Sequence, residues 1–88
     1  MDSRKVDDFL QNVLIEIGNK IKEEREQRNL KLIDTDVSSD IDPGDFSRYE
    51  NGIGNPTLKT LIRISIALKL ESFEIFGLEF PLEDFIEE

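Results

Sequence analysis

The chain has no cysteine and no histidine among its 88 residues. Without cysteine there is neither a disulfide framework nor a thiolate metal site. Without histidine the usual general base and the commonest zinc ligand are both missing. No apolar run approaches the roughly 20 residues that a membrane-spanning helix needs. The N-terminal residues Met1 to Lys5 are polar and lead into an amphipathic stretch, so a signal peptide is not expected. No glycine-rich phosphate loop is present, because Gly52 and Gly54 flank a turn and no Lys-Ser or Lys-Thr follows them. A soluble, cytoplasmic, non-enzymatic protein without cofactors is the expectation. A length of 88 residues suits one domain with a modest core, of a size often helped by pairing with a second copy.

Acids are plentiful. Twenty acids against eleven bases give a net charge of −9. The balance is uneven, with seven acids and no base over residues 71–88, and eight bases against nine acids over residues 17–63. Aspartates and a serine at 34, 36, 38, 40, 42 and 45 fall at the spacing of an oxygen-ligand calcium loop. Ser39 stands where that loop's sharp turn wants glycine, and Asp45 where a bidentate glutamate is expected.

Apolar residues at Val6, Phe9, Leu10, Val13, Leu14, Ile17 and Ile21 recur in steps of three and four, the pattern of one helical face. Ser3 suits the N-cap. Gly18 leaves open whether this is one long helix or two. Residues 31–41 form a weaker pattern, because Asp34, Thr35, Asp36, Ser38 and Ser39 are poor helix formers. A clearer start follows, with Asp42 as N-cap and Pro43 at the first helical position, and Asn51-Gly52 stops that helix. Asp42 and Asp45 read first as capping acids and second as base readers. Thr57 caps an apolar helix running to about Leu70. Ser72 to Phe76 reads as one more helical turn, ended by Gly77. Pro81 argues against a continuous helix through the remainder. The phenylalanines at 9, 46, 73, 76, 80 and 85 are expected in the core.

The block Phe46-Ser47-Arg48-Tyr49-Glu50-Asn51-Gly52, followed by Asn55-Pro56-Thr57-Leu58 and Leu61, resembles the Cro and phage-repressor-like (xenobiotic-response-element) helix-turn-helix family. Ile17-Gly18, Ile21, Arg25 and Leu30 match its first helix. Ile64, Ala67-Leu68 and Leu70 match its fourth, and the segment to Phe76 its fifth. The resemblance covers about two-thirds of the chain. It implies an all-α, five-helix lambda-repressor-like DNA-binding domain. On this chain that becomes an N-terminal helical extension at 1–16, the domain proper at 17–76 and an acidic, apolar tail at 77–88.

The resemblance also implies roles. Pro43, Gly44 and Arg48 fall on the family's base-reading positions, with Asp45, Ser47 and Asn51 near the same surface. Of these Arg48 alone has a fork of donors that suits guanine. Lys31 and Leu32 fall on phosphate contacts at the start of the second helix, a role Lys31 can fill and Leu32 cannot. Asn51 and Gly52 fall on phosphate contacts after the recognition helix. Arg25 and Glu50 match a structural ion pair. Thr35 and Asp36 depart from the family's usual Leu-Ala pair, and Asp40 from its usual small turn residue. The implied function is a sequence-specific DNA-binding transcriptional regulator acting on double-stranded DNA as a homodimer. That dimer would use the end of helix four, helix five and the tail, with the face around Val6, Phe9, Leu10 and Val13 as a second candidate. The alternative is a helix-turn-helix-fold protein-interaction module, such as an antitoxin or anti-repressor.

Overall fold

The computed structural model describes residues 2–85, with the side chains of 36–39 excepted. Four helices come first: α1 (Ser3–Gln27), α2 (Leu32–Ser39), α3 (Pro43–Glu50) and α4 (Leu58–Ala67). An antiparallel hairpin, β1 (Ser72–Ile75) and β2 (Leu78–Pro81), and a single 3₁₀ turn, Glu83–Phe85, follow among the described residues. The architecture is thus mostly helical rather than all-α, and the expected fifth helix is a strand pair. None of the described helices is long and apolar enough to cross a membrane.

Local chemistry sets each boundary. α1 runs unbroken through Gly18, and its N-cap is Asp2, not Ser3; the Asp2 carboxylate accepts from the Arg4 N–H at 2.9 Å. α2 begins because Asp34 reaches back to accept the Lys31 N–H at 2.8 Å, while the Asp34 N–H donates to the Lys31 carbonyl. This reciprocal cap offsets a segment of low helix propensity. Asp42 caps α3 by accepting the Gly44 N–H at 2.7 Å, with Pro43 in the first turn. Thr57 caps α4 through the Thr60 N–H.

The core gathers side chains from α1, α3, α4 and the turn before α3: Ile21, Ile41, Phe46, Ile64, Ala67 and Leu68 are buried together, with Leu32 of α2 packed against them. Thr35, at one of the departures in α2, is wholly buried, and its hydroxyl donates to the Leu32 carbonyl at 2.5 Å. A polar residue is accepted there because its own helix supplies the partner. Asp40, in the turn between α2 and α3, adopts φ +60, a left-handed conformation that aspartate tolerates better than most residues.

The calcium-loop reading needs residues 34–39 in a loop, whereas their backbone forms the helix α2. The described residues hold no carboxylate cluster able to bind a metal.

In the hairpin Phe73 lies opposite Phe80 and Ile75 opposite Leu78, while Glu74 faces Glu79. Period-two alternation therefore gives it one apolar and one acidic face. Phe76 and Gly77 form the two-residue turn with φ +51 and +75, the positive pair that tight hairpins need. The expectation of six core phenylalanines fails. Only Phe46 is buried; Phe73 is half-buried, and Phe9, Phe76, Phe80 and Phe85 are exposed. The segment after Gly77 is not a loose tail, because Leu82 is buried and its N–H donates to the Glu71 carbonyl at 2.8 Å. Ile86, Glu87 and Glu88 lie outside the described residues.

Candidate nucleic-acid interface

α2 and α3 are two short helices joined by the turn Asp40–Asp42, and α3 exposes one side while burying the other. Phe46 and Glu50 point inward. Gly44, Asp45 and Arg48 are exposed, and Pro43 and Ser47 are half-buried. Arg48 keeps 59% of its side chain in solvent, and its Nη1 lies 3.6 Å from Asp45 Oδ1 across one turn of helix. Three acids of this region have intramolecular tasks. Asp34 and Asp42 cap helices, and Asp45 pairs with Arg48. Lys31 is exposed at the start of α2 and makes no ion pair among the described residues.

The end of α3 is tied down. Asn51 Nδ2 donates to the Ser47 carbonyl at 2.9 Å. The Gly52 N–H donates to the Tyr49 carbonyl at 3.1 Å, and its own carbonyl accepts from Gln11 Nε2 at 3.3 Å. Gly52 is buried with φ +72, and a Cβ there would come within 3.0 Å of Ile15 Cα. Its glycine is required by conformation and by the close approach of α1. With both backbone groups engaged, it has no free donor for a phosphate.

What aims α3 is its crossing with α1. At Gly18 a Cβ would meet the Tyr49 carbonyl oxygen at 2.5 Å and that of Glu50 at 2.6 Å, so only glycine lets the helices approach this closely. Below the crossing Arg25 grips Glu50 in a bidentate pair, Nε to Oε2 at 2.6 Å and Nη2 to Oε1 at 3.1 Å, and Nη1 donates to the Leu30 carbonyl at 2.8 Å. The Glu50 side chain is only 4% exposed. Its hydrogen bonds raise the Arg25 pKa above the ordinary arginine value, against the opposing effect of burial. A planar fork against a carboxylate fixes orientation as well as distance. The pair therefore locks the C-terminal end of α3 to α1.

Two short helices joined by a tight turn, the second exposing a polar face, have the layout of a helix-turn-helix unit. A family model described as helix-turn-helix matches residues 21–75, and the chain belongs to that family, the Cro and phage-repressor type. It is a DNA-binding helix-turn-helix regulator. The fold is also that of the restriction-modification controller protein C.AhdI from Aeromonas hydrophila. That crystal structure superposes with a TM-score of 0.64 at 23% identity, over 68% of this chain and 91% of the other. No curated protein sequence matches.

Proposed function

We propose that this regulator is sequence-specific and acts on transcription in the cytoplasm as a symmetric dimer. Its α3 would lie in the major groove, with Gly44, Asp45, Ser47 and Arg48 toward the base edges. The observation that supports this best is the exposed Arg48 on the outer face of a helix whose inner face is fixed by Phe46 and the Arg25–Glu50 pair. Arg48 would read guanine through two parallel hydrogen bonds. Lys31 and Asn51 would hold phosphates on either side. Gly52, lacking a free donor, serves the α1 contact instead. Binding would exchange the Asp45–Arg48 pair for an Arg48–guanine contact, which leaves Asp45 free to accept from a cytosine amino group.

The test is selection from random duplexes at two salt concentrations, repeated with Arg48→Ala. A palindromic site whose affinity falls steeply with salt is the expected result. Arg48→Ala should cost about 1–3 kcal/mol at one base position of each half-site, while Lys31→Ala should weaken all sequences alike. An unchanged preference in Arg48→Ala would remove α3 from base reading. Failure to enrich any duplex at low salt would favour a second reading, a protein-interaction module. The exposed apolar side chains of the acidic hairpin, Leu78 and Phe80, are what support that one.

A further inference from the structure

The N-terminal half of α1 carries apolar side chains that the other described residues leave partly or largely uncovered. Val6 is 45% and Phe9 70% exposed, and Leu10 and Val13 are half-buried. At about 100° per residue this stripe sits about 120° round the helix from Gly18, the residue against α3. It is therefore lateral to the DNA-reading side. It also continues into Ile17 and Ile21, which form one wall of an apolar groove of about 430 Å³ between α1, α4 and β1.

Charge distinguishes this surface from the hairpin. Residues 71–88 carry seven acids and no base, so the surroundings of the hairpin's apolar face offer a second copy no opposite charge to pair with. Along residues 2–20 both signs are present: Asp2, Asp7, Asp8 and Glu16 against Arg4, Lys5 and Lys20. The stripe is also complementary to itself. Laid antiparallel about a two-fold axis between Gln11 and Asn12, it sets Val6 of each copy against Ile17 of the other, and Leu10 against Val13. The same register brings Asp2 at the start of one helix beside Lys20 of the other. Lys20 is an exposed side chain whose own partners, Glu23 and Glu24, are only loosely held at 3.8 and 3.7 Å.

We propose that a second copy of this chain covers the stripe, joining the protein into a dimer through antiparallel α1–α1 pairing in this register. The proposal gives the dimer of the preceding section its contact surface and rests on that reading for the existence of a second copy. Because the pairing face is lateral, α3 of both copies stays uncovered.

The test is sedimentation equilibrium of the full chain without DNA, comparing wild type, Phe9→Glu with Leu10→Glu, and Leu78→Glu with Phe80→Glu. Circular dichroism would check that each remains helical. The expected result is a wild-type dimer, about a hundredfold weaker association in the α1 variant, and little change in the hairpin variant. Mixing Leu10→Cys and Val13→Cys chains, in a protein with no other cysteine, should give the mixed disulfide in preference to either homodimer under mild oxidation. A dimer lost in the hairpin variant and kept in the α1 variant would overturn the proposal while leaving the dimeric reading intact. A monomeric wild type would overturn both, and the duplex selection would still decide DNA reading on its own.

Discussion

The two halves of α1 belong to one unbroken helix and are held in different ways. From Ile15 to Gln27 the helix is seated against α3 by Gly18, by the approach to Gly52 and by the Arg25–Glu50 pair. From Ser3 to Leu14 the one hydrogen bond beyond the helix and its cap among the described residues is Gln11 to the Gly52 carbonyl, and the apolar stripe is largely exposed to solvent. Helix continuity and tertiary anchoring are therefore separate properties. The first half is held up by the second as a beam is by its support, and packing contributes little to it.

Substitutions along α1 and at its partners test that contrast. The largest effect is expected in the anchored half. Glu50→Ala strands the Arg25 guanidinium and should cost about 3–5 kcal/mol in urea unfolding. Replacing both partners by apolar residues, Arg25→Met with Glu50→Leu, should recover most of that loss, since the cost lies in the orphaned charge. Gly18→Ala pushes a methyl group into two carbonyl oxygens and should cost about 1–3 kcal/mol, seen as a lower Tm. A near-neutral result would mean that the crossing can relax. Gln11→Ala removes a long, part-buried hydrogen bond and should cost about 0.5–1 kcal/mol. Phe9→Ser, at the far end, should change the unfolding free energy by less than about 0.5 kcal/mol under dilute, monomeric conditions. If it cost as much as Gly18→Ala, the contrast between the halves would be gone. Amide exchange gives the same contrast without mutation, with faster exchange over residues 3–14 than over 15–27.

The helices were largely legible in the sequence because their start and stop signals are local. Asp42-Pro43, Asn51-Gly52 and Thr57 mark the ends of α3 and the start of α4 wherever they occur. α2 was obscured because its stabilising device, the Asp34 return to Lys31, uses a residue that counts against a helix by propensity. The hairpin differs from the helical turn expected over residues 72–76, although its alternation is present in the sequence. Phe73 and Ile75 alternate with Glu74, and Leu78 and Phe80 with Glu79, around Phe76-Gly77. The resemblance implied a fifth helix there, and a turn with phenylalanine in its first positive-φ position hides the usual Asn-Gly signature. Within the interface, composition gave the excess of acids but not their tasks. That Asp42 caps while Asp45 holds Arg48 depends on side-chain direction, which spacing alone leaves open. Gly52, identified from the resemblance as a phosphate contact, lies under Ile15, a packing that involves residues far apart in the chain.

The acids around α3 have a consequence for how the regulator is distributed in a cell. Repulsion of phosphate weakens binding to every stretch of DNA alike, so discrimination between the target and other sequences is left unchanged. What falls is the share of molecules parked on bulk chromosome. If α3 reads DNA as proposed, such a reader would keep a larger share of its copies in free solution than a basic one, and the occupancy of its target would follow its own abundance more closely.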